Sequence, residues 1–157
     1  MPSEKLHIAQ ASHNLSFLES FYSSYNYSDW SITVAFYSSI HIVEGAICFK
    51  KKIKYLGKDL EVSHSDQLPG AIKKAGLTVP ENLLSASHHS LRGLIVNENF
   101  IEIREQYNLL YSNSRTARYR QYSWQKHEVE LIVKPAIKEI IKWSNKECAT
   151  TFKIDFK

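Results

Sequence analysis

Three groups of residues in this 157-residue chain have the types and spacing to do chemistry. The first is Tyr37, His41, Glu44 and Cys48, three or four positions apart, so that on a helix they share one face. Two readings stand side by side: a buried imidazole bonded to its neighbouring carboxylate, or a site that faces a cleft. The second is the run SRTARYRQYSWQKH over residues 114–127, where Arg115, Arg118 and Arg120 alternate with Tyr119, Tyr122 and Trp124. Guanidinium forks match phosphate oxygens and aromatic rings stack on unpaired bases, so this mixture suits single-stranded RNA. The same residues also suit a structural loop, with arginines capping a helix that ends near Ser112, or pairing with Glu44, and tyrosines anchoring the chain. On either reading Arg115, nearer that helix end, is expected to be the more structural, and Arg118 and Arg120 the more exposed. The third group is SHHSLR, with His88 and His89 one turn before Arg92, together with His64 in VSHSD. A histidine can move protons while an arginine stabilises phosphorane charge, although exposed histidines beside serine can equally be inert.

The motifs of most familiar enzyme classes are missing. The chain has no phosphate-binding glycine loop, no His-Glu-x-x-His and no serine nucleophile elbow. Its two cysteines, Cys48 and Cys148, give neither a disulfide framework nor a Cys-x-x-Cys zinc site, so no metal or cofactor is expected. The net charge of +4 and pI near 9.0 allow a polyanionic partner without demanding one. The N-terminus MPSEKLHIAQ has no apolar signal core, which makes the cytoplasm the expected compartment.

The elements that position these residues are read as helices. The chain is 43% hydrophobic with five Gly and four Pro, the balance of one all-α domain spanning 1–157. Residues 29–52 form its centre. Ile32, Phe36, Val43 and Ile47 make one apolar stripe, Trp30, Val34 and Tyr37 begin a second, and Ser28 is the expected N-cap. Such a helix is either central to a bundle or shared with a second copy. Ser31, Thr33, Ser38, Ser39, His41 and Glu44 make it too polar for a membrane span. A first helix is predicted over 5–25, with His13 on its polar side. Residues 55–63 read as an exposed connection around Gly57, and 65–75 as a short helix ended by Gly76. A helix from Thr78 and Glu81, in capping-box spacing, is predicted to run to about Val96. A polar interruption at 97–99 precedes a stripe of Phe100, Ile103, Tyr107, Leu110 and Tyr111. The last helix is predicted over 125–146, kinked by Pro135. The tail after it, from 147, alternates Phe152, Ile154 and Phe156 and reads as an extended arm or a frayed end.

Taken together, these stretches resemble the HEPN superfamily of helical bundles in its bacterial stand-alone form. The pattern is Asp29-Trp30, then Ala35-Phe36-Tyr37, then His41, Val43 and Glu44; next Ser87, His89 and Arg92; then Tyr107, Leu110 and Tyr111 leading into Ser114, Arg115, Ala117, Arg118 and Tyr119. It covers residues 29–119 in order, with 55–84 as extra length. The superfamily's nuclease signature, an arginine followed a few residues later by a histidine, is matched by Arg120 and His127. The resemblance implies an up-and-down bundle of five or six helices and a homodimer with a basic cleft. In active relatives it implies metal-independent RNA cleavage by 2′-hydroxyl attack, often in toxins or phage defence. In inactive ones it implies binding of RNA, a nucleotide or a partner such as an antitoxin or nucleotidyltransferase. Carried over to this chain, the catalytic candidates are Arg120, His127, His41 and His89. The phosphate-binding candidates are Arg92, Arg115, Arg118 and Tyr119, and Tyr37 and Glu44 would line the cleft.

Overall fold

The computed structural model describes residues 3–22, 27–119 and 124–156, and it is an all-α bundle. Helix α1 (Glu4–Tyr22) buries His7, Ala11, Leu15, Leu18 and Tyr22, one stripe at helical spacing. It packs along α2 (Ser28–Lys50), the axis of the molecule, which also touches the later helices over His88–Asn99, Arg104–Tyr119 and Lys134–Glu147. By length and composition α2 could cross a membrane, but 78% of its most apolar window is buried inside this protein. It starts at Ser28 with Tyr27 in the cap position and no side-chain cap, one residue earlier than expected. Its last turn ends at Lys51, whose left-handed backbone (φ 56°) returns its N–H to Ile47 O at 2.9 Å.

The expected exposed connection is instead a β-hairpin. Strands β1 (Lys52–Tyr55) and β2 (Lys58–Glu61) pair antiparallel with Ile53 opposite Leu60, and both side chains face the core. A two-residue turn joins them, with Leu56 and Gly57 both at positive φ (47° and 77°), as a type I′ turn requires. Asn99 fastens the hairpin to the bundle: its Oδ1 accepts from Lys54 N at 2.6 Å and its Nδ2 donates to Lys54 O at 3.1 Å. Among the polar residues at 97–99, that cross-contact is the role of Asn99.

A 3₁₀ turn (Ser65–Gln67) leads into α3 (Leu68–Lys74), which ends before Gly76 at φ 71°. The single helix expected from Glu81 to Val96 is two. Helix α4 (Glu81–Leu84) stops after one turn. Helix α5 (His88–Asn99) then starts on Ser87, whose Oγ accepts from Ser90 N at 3.2 Å. The Ser87 hydroxyl favours a fresh cap over continued helix. After a 3₁₀ turn (Ile101–Ile103), α6 (Arg104–Tyr119) runs well past Ser112, so the arginine run begins inside a helix rather than in a loop.

Residues Gln125 and Glu128 form a capping box at the start of α7 (Lys126–Glu128). The chain continues through a π-helical stretch (Val129–Val133) into α8 (Lys134–Glu147), with Pro135 in its first turn. Proline cannot donate to the turn before it, and the widened π turn absorbs the mismatch. The tail docks as an extended arm from 149 to 156. Asn145 brackets Phe152 by accepting from its N–H and donating to its C=O, both at 2.9 Å, and Phe156 meets the Tyr22 ring at 4.4 Å. The arm therefore closes the groove between α1 and α8.

Candidate functional site

The polar row of α2 meets a different element at each step. At its N-terminal end Tyr37 is 39% exposed and takes a hydrogen bond from Arg118 Nη1 of α6 at 3.0 Å. One turn on, His41 turns inward to His7 of α1, the two Nδ1 atoms lying 3.1 Å apart. Burial pushes His41 below the ordinary imidazole value, and the Arg92 charge adds to that.

Glu44 is 1% exposed and sits at the convergence of three elements. Arg92 Nε of α5 donates to its Oε1 at 2.7 Å, and the Ser65 hydroxyl donates to the same oxygen. Ser65 N–H donates to Oε2 at 3.1 Å, and His64 Nε2 stands 3.7 Å from that oxygen. Arg92, itself 5% exposed, is thus committed to a buried ion pair. Such a pair fixes geometry strongly, because removing either partner strands a charge. At the end of the row the Cys48 thiol, raised by burial, donates to Ser63 O at 2.8 Å.

On the outer side lies an arginine–aromatic surface built by α2, α5 and α6. Arg118 lies over the Tyr37 ring at 5.5 Å and the Tyr119 ring at 5.2 Å, and its Nε donates to Ser114 O at 3.2 Å. Arg115 lies 5.7 Å over Tyr111. His89 packs against Phe36 and Tyr111, and Arg92 Nη1 approaches its Nδ1 at 3.4 Å. Burial, then the Arg92 and Arg118 charges, hold His89 below the ordinary imidazole value.

Two grooves open on this face and share Tyr111. One of about 560 Å³ is walled by His89, Ser90, Asn97 and Asn108, and one of about 390 Å³ by Ser112, Arg115, Thr116 and Tyr119. Of the residues singled out from sequence, Tyr37, His89, Arg115, Arg118 and Tyr119 come together here. The expected roles of two arginines are exchanged. Because α6 continues to Tyr119, Arg115 projects from its last turn and is exposed, while Arg118 is half-buried and held by Ser114, Tyr37 and Tyr119. The option that these arginines pair with Glu44 is replaced by the Arg92 pair. His41 and Glu44 face the interior and line neither groove. His127 is exposed on α7 and lines neither groove, and Arg120 lies outside the described residues.

Sequence reading passes over His7, although a signal exists: it occupies the first position of α1's apolar stripe, four before Ala11. Its side chain is 4% exposed, and burial holds it at about 4, against partial compensation by the Glu44 charge.

Comparison with protein-family models, curated proteins and solved structures finds no match for this chain.

Proposed function

We propose that the protein is a HEPN-like bundle that binds single-stranded RNA on the face formed by α5 and α6. The observation that carries this reading is the pair of grooves joined at Tyr111, one edged by Arg115 and Tyr119 and the other by His89, Asn97 and Asn108. Arg115 grips phosphate, and Tyr119 and Tyr111 offer faces on which bases stack. Arg118 holds Tyr119 and Tyr37 in place while adding charge. The amides of Asn97 and Asn108, bonded to each other at 2.8 Å, supply donors and acceptors for base edges. The net charge of +4 favours encounter with a polyanion.

A second reading, metal-independent endoribonuclease activity of the toxin or defence type, is favoured by His89. Its depressed proton affinity keeps it neutral at pH 7, and its Nδ1, once it gives up the Arg92 N–H, can accept the ribose 2′-hydroxyl proton as that oxygen attacks phosphorus. The 5′-oxygen leaving group then needs a proton from another acid. His127, with Arg120 holding the phosphate, fits that role only if a second copy completes the cleft. The proposed assembly is a cytoplasmic homodimer, open to an antitoxin or nucleotidyltransferase partner.

Titration of a labelled single-stranded RNA at two salt concentrations tests the binding reading, with the RNA run on a gel afterwards. Arg115→Ala is expected to weaken binding, to reduce the salt slope by about 0.7 and to leave the melting temperature unchanged. Unaltered affinity and slope would remove the groove from the reading. Cleaved RNA in the presence of a chelator, lost in His89→Ala, would select the nuclease, and intact RNA the binding module.

A further inference from the structure

Beneath the groove, on its own set of residues, lies a second polar cluster. His7 on α1, Glu44 on α2 and His64 just before the 3₁₀ turn each place one donor atom within 4.8 Å of the other two. These three residues are far apart in sequence and are brought together only by the fold. We propose that His7, Glu44 and His64 form a binding site for a divalent first-row transition cation, with zinc the best match to two imidazoles and one carboxylate.

Each ligand is prepared by a neighbour. The Nδ1 of His7 is engaged with His41, which leaves Nε2, and that nitrogen is buried with no hydrogen-bond partner among the described residues. A buried imidazole nitrogen of this kind carries a desolvation cost that a ligand bond removes. Burial also keeps His7 neutral, the form that ligates. His64 Nδ1–H donates to Asp66 at 2.9 Å, so its Nε2 presents a lone pair near Glu44 Oε2. A carboxylate behind a ligating histidine is the recurrent arrangement that fixes its tautomer and raises its basicity. Arg92 and the Ser65 hydroxyl occupy Oε1 of Glu44, while Oε2 takes the Ser65 N–H at 3.1 Å and keeps a second lone pair on the side of His64.

Ligands of a tetrahedral zinc stand roughly 3.4 Å apart, so small rotations of the two imidazoles close the site. Arg92 opposes the cation, and the charges of Glu44 and Asp66 outweigh it. The bound ion would tie α1 to α2 and to the start of the 3₁₀ turn. Three protein ligands leave a fourth position for water. The site owes nothing to the RNA reading, since its ligands line neither groove.

The test is titration of Zn²⁺ into the chelator-treated full chain, followed by calorimetry and thermal melts, with Co²⁺ absorbance as a probe of coordination. One equivalent is expected to bind and to raise the melting temperature as free zinc increases. His64→Ala should abolish both effects. Asp66→Asn, which alters only a partly exposed carboxylate behind the ligand, should weaken binding about 10- to 100-fold with the metal-free melt unchanged. His13→Ala, on the exposed side of α1, should change nothing. No stoichiometric binding in the parent chain, or equal loss in His13→Ala and Asp66→Asn, would overturn the site.

Discussion

At the scale of single residues, Glu44 decides how the interior is wired. A carboxylate at 1% exposure is tolerable only because Arg92, Ser65 and His64 surround it. His7 and His41 face the same desolvation, which disfavours their charged forms. His7 is held at about 4, and His41 lies below the ordinary 6.5. The sign of the resulting pH dependence follows directly. Above 6.5 both states are neutral at these positions. As pH falls below that value the unfolded chain takes up protons that the folded chain refuses until about 4 for His7. Stability is therefore expected to decline steadily from pH 7 towards pH 4, His7 contributing at most about 3 kcal/mol of the fall. Melting curves across that range check it. His7→Gln should flatten the decline, and a parallel decline in the variant would mean that His7 is not its source. The polar row on α2 is legible from spacing alone, since three- and four-residue steps place Tyr37, His41, Glu44 and Cys48 on one face. Its division into an outward Tyr37 and inward His41 and Glu44 is not, because α1 and α5 decide it. His7 is legible only as a histidine in an apolar register.

At the scale of elements, what the sequence reveals depends on how long each pattern persists. Helices α1, α2 and α8 each run for several turns, long enough for apolar residues to recur at helical spacing. The hairpin has two four-residue strands, and its turn carries Leu-Gly instead of the usual Asn-Gly, so alternation of Ile53 and Tyr55 with lysines is the only cue. The end of α6 is hidden for a different reason. Its last turn, Arg115–Tyr119, is too polar to extend an apolar stripe, and it stays helical through the Arg118–Ser114 and Arg118–Tyr37 bonds. The hairpin turn yields a prediction at this scale. Leu56 adopts φ 47° with 73% of its surface exposed, so it bears the cost of a left-handed backbone without burying its side chain. Leu56→Asn, with a residue suited to a type I′ turn, should stabilise the protein by roughly 0.5–1 kcal/mol. Chemical denaturation measures this, and a shift to a lower midpoint would show that Leu56 holds the hairpin by contacts rather than by backbone preference.

At the scale of the whole molecule, the apolar faces of α2 are largely covered within one chain, by α1, α5, α6, α8 and the hairpin. Of the two places open to such a helix, central to a bundle or shared with a second copy, α2 as a whole takes the first. What remains uncovered is local. Phe17, Tyr27 and Trp30 are each more than half exposed and, with Phe21, line an apolar hollow of about 340 Å³ where α1 and α2 meet. The Phe17 and Phe21 rings meet at a tilt, with centroids 4.9 Å apart. Aromatic side chains of this kind supply the anchors of protein interfaces. If the proposed homodimer forms through this hollow, light scattering should report twice the chain mass at tens of micromolar, the range in which a modest specific interface persists. Trp30 points outward, so Trp30→Glu creates no internal cavity and should leave the melt of the monomer intact. It should weaken dimerisation by about 2 kcal/mol or more, roughly a 30-fold rise in the dissociation constant. A monomer at those concentrations would remove the dimer, and with it the composite cleft in which His127 of one copy could meet His89 of the other. A dimer indifferent to Trp30→Glu would instead place the seam elsewhere, with the arginine-bearing face of α6 next to be tested.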